Sequence, residues 1–304
     1  MQRPIALAAL VALVALGAAR ARAEDLAITF DDLPLNGPLP PATTRARIVR
    51  DALAILHAHR APPVYGFVNG AKLEDNADGA QALRLWAAGG ERLGNHSYAH
   101  TDLNAATAAA FLDDVWRNEP VLERLDPAGR WHWLRYPYLR EGDTLEKRRA
   151  VRTALAARGY RIAQVTLDWE DYLWNGAYAR CVERGDQGAM ARLETGYLAI
   201  AAAYIDGGRK LALALYGRPI SHVLLLHLGA FTSRILPPLL GLLERKGFRL
   251  VTLEAAERDA ALAVDPDAAS RYGGTLLEQL AEARALAYPP LPPKPYRELE
   301  ALCR

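Results

Sequence analysis

The chain is poor in cysteine, has no second apolar run of membrane length, carries no excess charge of one sign and contains no internal repeat. With Cys181 and Cys303 alone, no disulfide scaffold can organise it, although in an oxidising compartment the two thiols can pair and tie the C-terminal tail to the body. The apolar run from Ile5 to Ala19 follows Arg3 and ends near Ala21-Arg22-Ala23, a small-x-small sequence of the kind a signal peptidase cuts. The expectation is a signal peptide over residues 1 to 23, cleaved after Ala23, and a secreted or periplasmic protein; a retained N-terminal anchor is the competing reading. No later stretch reaches about 20 apolar residues, so no membrane span is expected after cleavage. Lys and Arg number 37 and Asp and Glu 35. Cleavage removes Arg3, Arg20 and Arg22 but no acid, taking the formal charge from +2 to −1. Nucleic-acid binding rests on clustered Lys and Arg against phosphate, so that class of partner is set aside.

Short apolar runs alternate with segments of helical period. Leu26 to Phe30, Val64 to Val68, Trp131 to Leu134, Arg161 to Val165, His222 to His227 and Arg249 to Leu253 read as strands, most of them too continuously apolar to have a wet face. Ile48, Ala52, Ile55 and Leu56 form one helical stripe, and Leu236, Leu239, Leu240 and Leu243 another. This order predicts an α/β fold: an irregular, closed or incomplete (β/α) barrel of about seven parallel strands with helices outside. The barrel is expected over residues 24 to 260. Residues 173 to 221 exceed one crossover and predict a helical insertion. Residues 261 to 304 predict a helix around Leu276 to Leu286 and then a Pro-rich tail, Tyr288 to Pro293, laid over the barrel.

Functional groups of such a barrel collect where the strands end. Asp31 and Asp32 end the first strand. Asn95-His96 follows Leu93-Gly94, and Arg135-Tyr136-Pro137-Tyr138 follows Leu134. Asp168 to Tyr172 follow the strand ending near Val165, and His227 ends its own strand. Singly, each has a plain structural explanation. An Asp pair at a strand end caps helices or turns. A His-x-x-x-His pair, here His96 and His100, puts both rings on one side of a helical turn, but such pairs also arise by chance on surface helices. His57 and His59 are read as surface residues of a helix, and His132 as packing or a substrate wall. Asp31, Asp32, His96 and His100 together offer two imidazoles and two carboxylates, enough to hold one divalent metal and leave a base free.

Taken in order, these motifs resemble the polysaccharide deacetylase family, carbohydrate esterase family 4, from Leu26 to about Leu253. Thr29-Phe30-Asp31-Asp32, His96-Ser97-Tyr98-Ala99-His100, Arg135-Tyr136-Pro137-Tyr138 and Leu225-Leu226-His227 are similar to its first, second, third and fifth motifs. The resemblance implies Asp32, His96 and His100 as ligands of a divalent metal, Zn2+ before others, and Asp31 as general base. It further implies His227 as general acid, Arg135 as the partner that keeps Asp31 oriented and ionised, a backbone amide near Tyr138 as oxyanion donor, and Leu225 as the wall of the acetyl pocket. For the fourth motif Asp168 and Asp171 both offer a carboxylate to His227, and Asp171 is preferred. Departures from the family pattern occur at Leu33, Leu139 and Leu228. The activity so implied is metal-dependent removal of N-acetyl groups from an amino-sugar polysaccharide. An O-acetyl ester or a small non-peptide amide could be met by the same site, and a carbohydrate-binding protein without turnover is the third reading.

Overall fold

The computed structural model describes residues 23–304, so the expected signal peptide lies outside the described residues. Strand β1 (Glu24–Leu33) is followed by α1 (Arg45–Ala58), β2 (Tyr65–Val68), α2 (Ala77–Ala88), β3 (Arg92–Asn95), α3 (Ala108–Leu125), β4 (Trp133–Leu134), α4 (Leu145–Ala157) and β5 (Arg161–Ile162). Two helices, α5 (Leu173–Glu183) and α6 (Gln187–Tyr216), precede β6 (His222–His227), α7 (Ala230–Arg245) and β7 (Phe248–Leu250). Helices α8 (Leu253–Ala256), α9 (Leu276–Ala283) and α10 (Tyr296–Ala301) complete the chain.

All strand pairs are parallel, in the order β5-β4-β3-β2-β1-β6, with β7 against the start of β1. The result is an α/β barrel left incomplete, because its two ends meet only at the single bridge Leu167↔Leu224. Leu26, Ile28 and Phe30 of β1 face the layer of helices, while Ala27 packs with Phe67, Trp133 and Val223 in the interior. Side chains alternate along a strand, so Thr29 and Asp31 follow Ala27 inward. Burial on both faces is what the unbroken apolar run predicted.

Several strands differ from the expectation. Arg92–Asn95 forms β3, although Leu93 and Gly94 alone give no apolar run long enough to read as a strand. The segment expected as a strand from Arg161 to Val165 pairs with β4 only over Arg161 and Ile162, then crosses so that Thr166 and Leu167 bond to Val223 of β6. β7 stops at Leu250, short of the expected Leu253, because the Thr252 side chain caps α8 by accepting from the Ala255 amide.

The C-terminal segment is fastened at several points. Cys181 of α5 and Cys303 form a disulfide, and the Arg180 guanidinium donates to the Leu299 and Leu302 carbonyls. A Cβ at Gly207 of α6 would come within 2.5 Å of Leu291; glycine there lets the proline-rich stretch lie directly on the helix. No helix among the described residues is long and apolar enough to cross a membrane.

Candidate metal-dependent active site

Consecutive residues of a strand point to opposite faces, yet Asp31 and Asp32 both line one cleft of about 900 Å³. The β1–β2 register shifts between Phe30 and Leu33, and Asp32 takes a left-handed φ of 68°, so the irregularity turns its carboxylate back toward the interior. His96 follows β3 directly. The helical turn considered for His96 to His100 does not form: the segment is a loop, with φ of 59° at Ser97 and 57° at His100. It is held by side-chain amides instead. Asn69 donates to the His96 and Ser97 carbonyls, and Asn95 Oδ1 accepts from the Ser97 amide and from Asn118 Nδ2. Non-glycine residues in the left-handed region recur around the cleft at Tyr138 and Glu170, as expected where surrounding structure imposes strain at a functional site.

Asp32, His96 and His100 each present one ligand atom, and these atoms lie within 4.8 Å of one another. His96 Nε2 is 3.7 Å and His100 Nε2 3.3 Å from Asp32 Oδ1. The donor set fits a divalent ion on the structure's own terms. Asp32 Oδ1 is buried and makes no hydrogen bond, whereas its partner oxygen accepts from Asn36 Nδ2 at 2.7 Å. His96 Nδ1 faces the Arg135 carbonyl at 2.8 Å; a carbonyl only accepts, so Nδ1 carries the hydrogen and Nε2 keeps its lone pair. Burial pushes His96 and His100 down to about 4, leaving both rings neutral as ligands must be. Burial pushes Asp32 up, but Lys72, His227 and His96 outweigh it and hold the carboxyl below the usual range.

Asp31 Oδ1 accepts from the Arg135 guanidinium at 3.0 Å. Arg135 is itself fixed, since Nε donates to the Ala163 carbonyl, NH2 to Thr29 Oγ1, and its guanidinium lies over the Phe67 ring. The expected pairing therefore exists; burial raises the Asp31 carboxyl above its usual value, and the Arg135 charge and hydrogen bond act against that rise. Asp31 is the register partner of His227 across β1 and β6, which puts both residues on the same side of the sheet.

Asp171, and not Asp168, bonds to His227. Its carboxylate accepts from the His227 amide at 2.9 Å and lies 2.8 Å from the ring Nδ1. Burial lowers the His227 pKa, but the Asp171 hydrogen bond and charge, with Asp32 and Asp31 beyond, carry it up to about 9. Asp168 Oδ1 accepts from the Glu170 amide, and burial raises this carboxyl to about 6. Tyr138 and Leu225 line the cleft, and the Tyr138 ring meets His100 edge-on at 4.5 Å. His57 pairs with Glu91. His132 stacks on Trp131 and does not line the cleft.

Residues 18–173, just over half of the chain, match the family described as Polysaccharide deacetylase. The chain belongs to the polysaccharide deacetylase family. Over 149 residues it is 26% identical to a chitin deacetylase of Arthroderma benhamiae, a stretch covering 48% of this chain and 35% of that protein. It thus spans about a third of the length of that curated relative. The solved chitin deacetylase of Colletotrichum lindemuthianum aligns over 78% of this chain and 88% of its own, with a TM-score of 0.51 and 24% identity. A polysaccharide deacetylase of Bacillus cereus aligns over 75% and 91%, with a TM-score of 0.51 and 18% identity. These two structures share the fold.

Some participants had no sequence signal of their own. Lys72 Nζ lies 3.3 Å from Asp32 Oδ1, and nothing local marks Lys72 for that place. Asn118 had a usable one: it occupies the buried stripe Phe111, Val115, Asn118, Leu122 of α3, where a polar residue must find partners inside.

Proposed function

We propose that this family member is a secreted, metal-dependent hydrolase that removes N-acetyl groups from an amino-sugar polysaccharide. The carrying observation is the company kept by the ligand trio: a buried carboxylate oxygen without a hydrogen bond and two neutral imidazoles share one cleft with Asp31 and a protonated His227. The chitin deacetylases of A. benhamiae and C. lindemuthianum support β-linked N-acetylglucosamine chains as the first substrates to try.

Asp32 Oδ1, His96 Nε2 and His100 Nε2 would hold the ion, Zn2+ being suited to two imidazoles and a carboxylate. Once bound, it polarises an acyl carbonyl and lowers the pKa of water toward about 7. Arg135 occupies Oδ1 of Asp31, which leaves Oδ2 to take a proton from the attacking water. The raised pKa of this carboxyl makes it the stronger base. Asp171 holds Nδ1 of His227, so Nε2 is the nitrogen that delivers a proton to the departing sugar nitrogen as the carbon-nitrogen bond breaks. The products are acetate and a free amine. A backbone N–H near Tyr138 would donate to the developing oxyanion, and Leu225 would wall the space for the acetyl methyl.

Acetate release from N-acetylglucosamine oligomers, measured before and after chelation and on zinc reloading, tests the reading. Activity lost on chelation, restored by zinc and abolished in His96→Ala is expected. Activity that survives the chelator or His96→Ala would overturn the mechanism, and release from O-acetylated chains alone would overturn the assignment to nitrogen.

A further inference from the structure

One wall of the catalytic cleft comes from outside the family-matched segment. Tyr272, Gly273, Glu278, Glu282, Tyr288 and Leu291 line the same cavity as Asp31 and His100, all well beyond residue 173, where the family match ends. The wall is built into the fold. The Ser270 amide donates to the Gly142 carbonyl, and Asn104 Nδ2 donates to the Ser270 and Arg271 carbonyls. Gly273 abuts the loop that carries Tyr138: a Cβ there would lie 2.3 Å from the Tyr138 carbonyl oxygen, and its φ of +79° suits glycine. This seating presents Tyr272, 86% exposed, on a pinned turn beside Tyr138, itself 55% exposed.

We infer that this turn forms a sugar subsite next to the reacting position, with Tyr272 as the ring on which a neutral or amine-bearing glycan chain stacks, a proposal that rests on the deacetylase reading above. A large exposed aromatic ring held by its backbone offers an apolar face with little ordering cost. The C–H face of a pyranose matches it, and a sugar ammonium is also attracted to such a face. Charge on the wall narrows the class. Lys294 is paired with Glu170 and Arg140 with Asp102, while Glu278 and Glu282 have no cationic partner among the described residues. Anionic glycans are therefore disfavoured on this side.

Binding and turnover of a four-residue β-1,4-linked N-acetylglucosamine oligomer and of the single sugar, in wild type, Tyr272→Ala and Tyr272→Trp, test the subsite. Tyr272→Ala is expected to weaken tetramer binding about tenfold and to raise KM for the tetramer more than for the monosaccharide, and Tyr272→Trp to retain wild-type binding. Equal tetramer affinity in wild type and Tyr272→Ala, an equal loss for both ligands, or failure of Tyr272→Trp to retain binding overturns the subsite. Binding is read at equilibrium, so a wild type that binds the tetramer but releases no acetate defeats the deacetylase reading while the subsite is still decided. A wild type that does not bind the tetramer defeats the subsite.

Discussion

Asp171 grips His227 twice, accepting from its backbone amide at 2.9 Å and facing its ring nitrogen at 2.8 Å. One carboxylate thereby fixes the end of β6, the orientation of the imidazole and its charge. With the pKa of His227 carried up to about 9, the ring keeps its proton through neutral pH and loses it as the pH rises past that value. Activity should fall on the same limb. Asp171→Asn removes the charge, so the limb should move down toward the ordinary imidazole value of about 6.5 and kcat should drop by about 10²- to 10⁴-fold. A pH profile whose basic limb stays in place in the variant would remove His227 from the acid role.

Lys72 places an ammonium 3.3 Å from Asp32 Oδ1, the oxygen left for the ion, and also donates to the Asp32 carbonyl. Like charges repel, so this cation opposes a metal in the trio. Lys72→Met should tighten zinc binding by about tenfold, a change on the scale of one partly screened charge pair. Competition against a chromogenic chelator reads it directly, and an unchanged or weaker affinity would contradict the argument.

Glu257 is buried and accepts from the Gln164 amide at 3.0 Å, and burial raises its carboxyl to about 7 from an ordinary 4.5. The folded state therefore favours the protonated form. Its contribution to stability is complete below about 4.5 and is lost as the pH rises through about 7. Glu257→Gln keeps an acceptor for Gln164 without the charge. The fall in urea midpoint between those two pH values should be smaller in the variant than in wild type; parallel pH curves for the two proteins would refute the assignment.

The disulfide between Cys181 and Cys303 closes a sequence separation of 122 residues. Loops of that size lose substantial entropy when cross-linked, so the double variant Cys181→Ser with Cys303→Ser should be less stable by about 3 to 5 kcal/mol. Chemical denaturation of the two proteins under oxidising conditions measures it. Equal midpoints and slopes would show that the Arg180 bonds to the Leu299 and Leu302 carbonyls hold the tail without help.

Much of the barrel was legible because burial on both faces leaves β1 and β6 as continuous apolar runs, and the motifs sit where those runs stop. His222–His227 has the bounds its composition predicts. The missed strand, β3, is four residues of which only Leu93 is a large hydrophobe, too little for any periodicity. β5 was expected but ends earlier than its run, because an apolar run specifies burial and not pairing: Val165 is buried although the ladder with β4 stops at Ile162.

The sequence by itself determined which groups could do chemistry, Asp31, Asp32, His96, His100, Arg135 and His227, because residue type and position at a strand end are local properties. Tertiary structure decided what each can do. Alternation along a strand would send Asp32 away from Asp31, and only the irregular pairing with β2 turns it back. Asp168 and Asp171 are equivalent as residue types, and only the crossing of their segment to β6 places Asp171 on His227. The tail's position over the cleft depends on contacts more than 100 residues apart in sequence, such as Arg180 with Leu302 and Lys294 with Glu170, and long-range packing leaves no periodicity in the segments it joins.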